Sequence, residues 1–83
     1  MKLLKFAASW CGPCQGLKIT IQNLEDKITI PIEDIDIDTN TDLAVQYGVR
    51  SVPTLVIVDD SGTEIKRSVG ALTADKLLDF LKV

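Results

Sequence analysis

The sequence predicts an α/β fold in which a four-stranded mixed sheet carries three helices on both faces. Hydrophobic residues recur first in a short strand-like run, then at helical spacing, then in alternation, which implies a right-handed parallel crossover. Two β-prone runs joined by a Gly-containing turn late in the chain predict an antiparallel hairpin. The 83 residues, 46% of them hydrophobic, suffice for one domain over residues 1–83.

The first half of the chain reads as strand, helix and strand. Residues 3–8 form a short apolar run, which predicts a strand buried on both faces. Pro13 favours a first helical turn, and a helix is predicted over residues 13–27. Residues 28–37 predict a second strand, which is acidic in its later half. The helical spacing is that of Leu17, Ile21, Leu24 and Ile28.

The second half reads as a short helix, a hairpin and a last helix. Residues 39–41 offer N-caps for a helix over residues 43–47, and Gly48 ends it. The hairpin consists of strands over residues 54–58 and 63–69, joined by a turn over residues 59–62. Thr73 can cap the last helix, and the apolar side of that helix holds Leu77, Leu78 and Leu81.

Composition and charge exclude several classes of function. The net charge is −3, whereas proteins that rely on phosphate contacts are usually basic, so we expect no nucleic-acid partner. The longest uncharged apolar stretch, residues 52–58, is too short to span a membrane. No histidine and only two cysteines argue against a metal site or a cofactor.

Lys5 interrupts the one run that resembles a signal peptide, so we expect a cytoplasmic protein, and we expect a monomer.

The junction between the first predicted strand and the first helix carries the segment Cys11, Gly12, Pro13 and Cys14. A helix N-terminus presents unpaired N–H groups and the positive end of the helix dipole, which stabilise a thiolate and lower its pKa. Cys11 gains most from this and can be exposed, whereas Cys14 is expected to be more buried. Since thiolates attack disulfides, Cys11 can attack a substrate and Cys14 can resolve the mixed disulfide. Gly12 and Pro13 keep the turn small and stiff.

Other interpretations of these residues are weaker or stay open. Half of a zinc site, or of an iron–sulfur cluster, would need a dimer to complete it. A structural disulfide across four residues removes little chain entropy. Trp10 can be a core aromatic, but its place beside a reactive thiol favours an exposed shield and docking residue. Tyr47 is expected to pack half-buried. Pro53 can start an edge strand or follow a cis bond, and the residues alone leave this undecided.

The segment from Trp10 to Cys14 resembles the active-site motif of the thioredoxin family. The similarity extends over essentially the whole chain, at Asp38 and at residues 47–50, 52–54 and 69–72. The resemblance implies a minimal thioredoxin fold and dithiol–disulfide exchange, with Cys11 as nucleophile and Cys14 as resolving thiol. It also implies disulfide-containing proteins as substrates and a thioredoxin reductase as electron donor.

The resemblance further implies a flat surface that docks substrates. The Val52–Pro53 bond would be cis, and the backbone of Val52 would pair with a substrate strand. The residues implied to line this surface are Trp10, Gly12, Pro13, Val52, Pro53, Gly70 and Ala71.

The chain also departs from the family. The family usually opens with an additional strand and helix, whereas this chain starts at the strand that precedes the motif. The expected strand order is then residues 28–37, 3–8, 55–58 and 63–69. The strand over residues 28–37 becomes an edge, where its acidic side chains would discourage edge-to-edge aggregation.

Lys5 places a charge in the predicted central strand, where an unpaired buried charge is costly. In the simplest interpretation its stem packs and its ammonium reaches solvent. In the family this position normally holds a buried Asp that takes the proton of the resolving thiol, and a partner lysine lies at the position of Asp34. The exchange predicts a partly buried Lys5–Asp34 pair beneath Cys14, with Asp34 pointing to a buried face. Such a pair would favour thiolates, and Asp34 would be the general base for Cys14.

Two other functions compete with a protein-disulfide reductase. A glutaredoxin-like enzyme coupled to glutathione fits the short length, although no glutathione site can be identified in the sequence. A non-catalytic interaction module would use the apolar surface around Trp10 and Pro53, and its thiols would be incidental.

Overall fold

The computed structural model describes residues 1–82. The strands are β1 (Lys2–Ala7), β2 (Ile32–Asp36), β3 (Thr54–Val58) and β4 (Glu64–Val69). The helices are α1 (Gly12–Asn23), α2 (Thr41–Gln46) and α3 (Ala74–Phe80). The strands form one mixed sheet in the order β2-β1-β3-β4, in which only the pairing of β1 with β2 is parallel. The predicted fold class, element order and strand order are confirmed.

Both central strands, β1 and β3, bury side chains on each face because helices cover the sheet from both sides. On one face, Leu3 and Leu55 pack with Leu17 of α1 and Leu77 of α3. On the other face, Phe6 belongs to a cluster against which residues of α2 and its C-cap pack. Successive residues of β1 therefore alternate between two hydrophobic layers, as strand geometry requires.

Two predicted boundaries are wrong by four residues each, and several others differ by one or two residues. The first helix ends at Asn23 rather than at residue 27, and a separate 3-10 turn, Glu25–Lys27, follows it. The second strand begins at Ile32 rather than at residue 28. Pro31 has no N–H to donate to a ladder, although its carbonyl accepts a hydrogen bond of 2.9 Å from the Leu3 N–H. Residues 28–31 therefore connect helix and strand without extending either.

Local capping explains several of the remaining boundaries. The Thr73 hydroxyl accepts a hydrogen bond of 3.4 Å from the Lys76 N–H and so caps α3, as predicted. Asn40 is the N-cap of α2, without a side-chain hydrogen bond. Gly48 follows α2 with φ of +63°, a conformation that favours glycine. No helix within residues 1–82 combines the length and apolarity needed to cross a membrane.

The strand register brings the functional segments to one end of the sheet. Phe6 pairs with Thr54, and Ala7 pairs with Asp36. Thus β1 and β2 end, and β3 begins, on the same side of the molecule. The loops that leave these strands must meet there.

Candidate functional site

Cys11 and Cys14 form a disulfide at the start of α1, with their Cα atoms 5.2 Å apart. Cys11 is the N-cap residue, with extended φ of −90° and ψ of 111°, and Pro13 lies in the first turn. The backbone N–H of Cys14 donates a hydrogen bond of 3.1 Å to Cys11 Sγ. This N–H has no partner within the helix and points at Cys11 Sγ. The same contact would stabilise a thiolate on Cys11 once the disulfide is reduced.

Both cysteines are equally buried, each with 5% of its surface exposed. The expectation that Cys14 is more buried than Cys11 is therefore wrong for the disulfide form. The disulfide holds the two sulfurs together, and the pair packs with Ala8 and against Val52. Cys11 Sγ lies 3.7 Å from the carbonyl oxygen of Val52, within reach of a weak hydrogen bond from a reduced thiol.

Two further loops converge on the cysteine pair. The Val52–Pro53 peptide bond is cis, as the family resemblance implied. The Gly70 N–H donates a hydrogen bond of 2.8 Å to the Pro53 carbonyl, which ties the loop before β3 to the end of β4. Gly70 has φ of +97°, a conformation that side chains other than glycine rarely adopt. The backbone on this side of the disulfide is thus held in place by a direct bond between loops.

Not every residue expected to line a docking surface is accessible. Pro53 is fully buried, so its side chain lies beneath the surface and is not accessible to a partner. Val52 and Gly70 are half-buried, and Ala71 is exposed. Gly12 and Pro13 in the active-site turn are exposed as well.

Trp10 is exposed over 67% of its surface, which agrees with the expectation of an exposed residue beside the thiol. Its indole Nε1–H donates a hydrogen bond of 3.0 Å to Asp38 Oδ2. In the sequence, Asp38 and Val69 are recognisable only as positions of resemblance to the family. Val69 is 61% exposed at the end of β4 and adds an apolar side chain near the loop of Gly70. The sequence signal that could have indicated Val69 as a surface residue near the site is its position as the last, apolar residue of a predicted strand, directly before Gly70.

Lys5 and Asp34 form the predicted ion pair, with Lys5 Nζ 2.8 Å from Asp34 Oδ1. The pair is uneven, because the Lys5 side chain is 10% exposed whereas the Asp34 side chain is 73% exposed. Asp34 is thus on the same sheet face as Lys5, as expected, but the expectation that its side chain is buried is wrong. Within the described residues β2 is an edge strand, which leaves Asp34 open to solvent on one face, although Ile35 on the opposite face is buried.

Tyr47 packs half-buried, as expected, with its ring centroid 6.0 Å from that of Phe6. Its hydroxyl donates a hydrogen bond of 2.7 Å to the Gly62 carbonyl in the hairpin turn. Tyr47 therefore lies far from the disulfide along the sheet and belongs to the scaffold.

Comparisons with known proteins agree with this geometry. A family model described as Thioredoxin matches residues 1–83. The thioredoxin of Chlamydia caviae is 40% identical over 80 residues, which are 95% of this chain and 78% of that protein. The thioredoxin of Bacillus subtilis is 39% identical over 81 residues, which are 95% of this chain and 77% of that protein.

Solved structures resemble the chain equally well. A variant thioredoxin from Halobacterium salinarum superposes with a TM-score of 0.86 at 41% identity, covering 96% of this chain and 70% of that one. A thioredoxin of Fasciola hepatica superposes with a TM-score of 0.84 at 32% identity, covering 95% and 75% of the two chains. These matches do not favour a glutaredoxin-like enzyme or a non-catalytic module. The chain therefore belongs to the thioredoxin family and is a thiol–disulfide oxidoreductase with protein-disulfide reductase activity.

Proposed function

We propose that Cys11 is the nucleophile and Cys14 the resolving thiol in the reduction of disulfide-containing proteins. The observation that carries this assignment is the hydrogen bond from the Cys14 N–H to Cys11 Sγ at the N-cap of α1. A sulfur that accepts a helix N-terminal N–H is the better thiolate of the two, and the thiolate is the attacking species.

The reaction consists of two exchanges. The Cys11 thiolate attacks one sulfur of the substrate disulfide, which forms a Cys11–substrate disulfide and releases one substrate thiolate. Cys14 then gives its proton to a general base, for which we propose Asp34, and attacks Cys11 Sγ, which closes the Cys11–Cys14 disulfide and releases the second substrate thiolate. Two electrons pass from the dithiol to the substrate, and the released thiolates take up protons from the solvent. A thioredoxin reductase would return two electrons to the Cys11–Cys14 disulfide.

Substrates are proposed to dock on the surface around the cysteine pair. We define this docking surface by Trp10, Gly12, Pro13, Val52, Gly70 and Ala71, with Pro53 beneath it. Trp10 supplies exposed aromatic area, and the backbone of Val52 lies beside Cys11 Sγ, where an extended substrate segment could pair with it. The exposure of Trp10 and Ala71 and the bond between the Pro53 and Gly70 loops support this proposal.

We place the protein in the cytoplasm as a monomeric electron carrier whose single domain spans residues 1–83. A reducing compartment suits the role, because a dithiol must be regenerated after each turnover. Sedimentation at micromolar concentration checks the monomer, since a dimer would sediment with twice the mass.

The experiment that tests the assignment is the reduction of insulin disulfides by the wild type, Cys11→Ser and Cys14→Ser. We expect turnover by the wild type, none by Cys11→Ser, and a trapped mixed disulfide with Cys14→Ser. Activity that survives Cys11→Ser would contradict the assigned nucleophile. Turnover that requires glutathione would instead support the glutaredoxin-like alternative. Partner binding that persists in the double Cys→Ser variant, without wild-type turnover, would support an interaction module.

A further inference from the structure

Lys5 is the one charged residue that is buried within residues 1–82; the only other buried polar residue there is Thr54. It lies in the middle of β1, one of the two central strands, opposite Asp34 on one side and Leu55 on the other. A charge in such a position normally costs stability, because burial removes its hydration. Neither the fold nor the two exchange steps explains why an ammonium is kept there.

The side chain of Lys5 is directed to the same face of the sheet as the cysteine pair. Leu3 and Ala7, two residues before and after Lys5, share its face by strand alternation. Leu3 packs with Leu17 of α1, and Ala7 packs against the cluster of Cys11 and Cys14. Lys5 is therefore about 7 Å along β1 from the residue that contacts the cysteines.

Lys5 also lines an open groove of about 470 Å³ between α1 and the two strands β1 and β2. The charged side chains that face this groove are Lys5 from β1, Lys18 from α1, and Asp34 and Asp36 from β2. Lys18 and Asp34 are exposed, and Asp36 is half-buried. Of these charges, the ammonium of Lys5 is the one least surrounded by water.

The uneven burial of the pair leaves a net positive potential on the protein side. Water screens the Asp34 carboxylate, which is 73% exposed, more strongly than it screens the Lys5 ammonium at 10% exposure. Interactions through the protein are stronger than those through water, because the effective dielectric constant is lower there. The ammonium therefore acts on α1 and its cysteines with only part of its charge offset.

We propose that Lys5 is an electrostatic positioning residue that stabilises the thiolate forms of Cys11 and Cys14, and that Asp34 sets the strength of this effect. The inference rests on the proposed roles of the two cysteines. Reduction of the disulfide takes up two electrons. It takes up two protons when both thiols are protonated, and one proton when one of them remains a thiolate. A nearby positive charge favours the reduced form over the neutral disulfide. The chain is thereby a weaker reductant than it would be with a neutral residue at this position.

The first measurement is the equilibrium between the oxidised and reduced protein in glutathione buffers. For Lys5→Met we expect the constant to shift roughly tenfold towards the disulfide, because a unit charge about 10 Å away acts with this magnitude at an effective dielectric constant near 20. For a two-electron couple, this is a fall in potential of about 30 mV. The pH at which the thiolate absorbance appears should rise in parallel.

Lys2→Met is the matched control. Lys2 also pairs with an acidic residue of β2, Glu33, at 2.7 Å. It lies at the other end of β1, and both partners of that pair are about half exposed, at 47% and 46%. We expect this variant to keep the wild-type equilibrium constant within about twofold, because solvent screens an exposed charge.

Asp34→Asn separates an electrostatic role from a structural one. It removes the screening carboxylate at an exposed position and leaves Lys5 charged, so the equilibrium should shift towards the dithiol, opposite to Lys5→Met. A purely structural pair would lower the free energy of unfolding in both variants and leave the potential of the folded protein unchanged. Unchanged potentials, or shifts of the same sign in both variants, would overturn the proposal.

The outcome stays informative if Lys5→Met does not fold, because the sign of the Asp34→Asn shift decides the question alone. A failure of the proposed function is recognised separately, because wild-type turnover of insulin is measured in its own assay. The glutathione equilibrium can be determined whether or not the protein reduces insulin.

Discussion

The two ends of the sheet differ in how they are held. At the end where β3 turns into β4, many side-chain hydrogen bonds fix the backbone. At the other end, the Cys11–Cys14 disulfide lies beside exposed apolar residues. We call the first the turn end, made of residues 59–64 with Tyr47 and Arg67, and the second the redox end, made of residues 8–14, 51–53 and 69–71. Because β3 has five residues, the ends lie about 17 Å apart.

The turn end is organised by charged and polar groups. The Asp59 carboxylate accepts hydrogen bonds from the N–H and hydroxyl of Ser61 and from the N–H of Thr63, at 2.6–3.0 Å. The Arg67 guanidinium donates to both carboxylate oxygens of Glu64 and to the carbonyl of Tyr47, which links β4 to the end of α2. These bonds fix the backbone where no chemistry takes place.

The redox end is held differently. Its loops are joined mainly by backbone contacts, such as the bond from the Gly70 N–H to the Pro53 carbonyl, and Trp10 and Val69 remain exposed. Side chains there are thus available to a partner, while the backbone beneath them stays in place. Hydrogen bonds that stabilise the fold are therefore concentrated at one end and the reactive groups at the other, so substitutions should separate stability from activity.

The largest expected effect is a loss of turnover without a loss of fold, from Cys14→Ser at the redox end. Insulin reduction should fall by at least about a thousandfold, because no resolving thiol remains to release the mixed disulfide. The unfolding free energy should stay close to that of the reduced wild type, since serine replaces a thiol of similar size. Denaturant unfolding and the insulin assay measure the two quantities. A large loss of stability would contradict the separation.

The opposite pattern is expected for Arg67→Met at the turn end. The change removes the bonds to the Tyr47 carbonyl and to Glu64, so the unfolding free energy should fall by about 1–3 kcal/mol. Insulin turnover at a temperature where the variant is folded should remain within about twofold of the wild type. Lys76→Met, at an exposed site on α3, is the control and should change neither quantity. Reduced turnover in folded Arg67→Met would show that the ends are coupled.

Trp10→Ala should weaken substrate docking at the redox end. We expect KM for insulin to rise about tenfold with a smaller change in kcat, because a large exposed aromatic contributes binding area. Ile19→Ala provides the matched control, because Ile19 is 59% exposed on α1 outside the proposed docking surface. Equal effects of the two substitutions would remove Trp10 from the docking surface.

Tyr47→Phe should have a moderate effect on stability alone. It deletes the hydroxyl that donates to the Gly62 carbonyl and keeps the ring that packs against Phe6. We expect a loss of about 1 kcal/mol in unfolding free energy and unchanged insulin turnover. Tyr47→Leu, which also removes the ring, should lose more stability. If the two variants are equally stable, the ring contact contributes nothing.

The weakest effect is expected on the stability of the protein at low pH. Hydrogen bonds from the Ser61 hydroxyl and the Thr63 N–H hold the pKa of the Asp59 carboxyl below its ordinary value, and the hydrogen bond from Arg67 lowers that of Glu64. A carboxyl whose pKa is lower in the folded state adds stability that is complete above the unfolded value of about 4 and is lost as the pH falls through the folded value.

Stability should therefore decline as the pH drops below about 4, and Asp59→Asn should decline less steeply than the wild type. Unfolding free energies measured across this pH range test the prediction, with Asp26→Asn in the exposed 3-10 turn as the control. Curves of equal slope for Asp59→Asn and the wild type would show that this carboxyl contributes nothing to the acid response.

Local chemistry was enough to predict the elements that hold the cysteine pair. The apolar run before Ser9, Pro13 in the first turn and the spacing of Leu17 and Ile21 all favour a strand followed by a helix that starts at the motif. These are short-range preferences, and the structure keeps them. The strand order followed from the crossover and hairpin rules together with the family resemblance.

Boundaries were less predictable where two local signals competed. The isoleucines at 28, 30 and 32 alternate as a strand does, but Pro31 cannot donate to a ladder, and pairing with β1 begins only at Ile32. Likewise, helical spacing continues to Ile28, whereas the chain leaves the helix after Asn23 through a 3-10 turn. Periodicity records which face is apolar, not where hydrogen bonding stops.

The amino-acid sequence was enough to predict the fold class, the place of Cys11 at a helix start and the presence of a charge at position 5. The folded chain was needed to establish the burial of Cys11, the cis bond before Pro53, the contact of Arg67 with α2, and the uneven exposure of Lys5 and Asp34. Helix and strand preferences act over a few neighbouring residues and can be read along the chain. Burial and ion pairing depend on which distant segments cover a side chain, and that is set only when β1, β2 and α1 pack together.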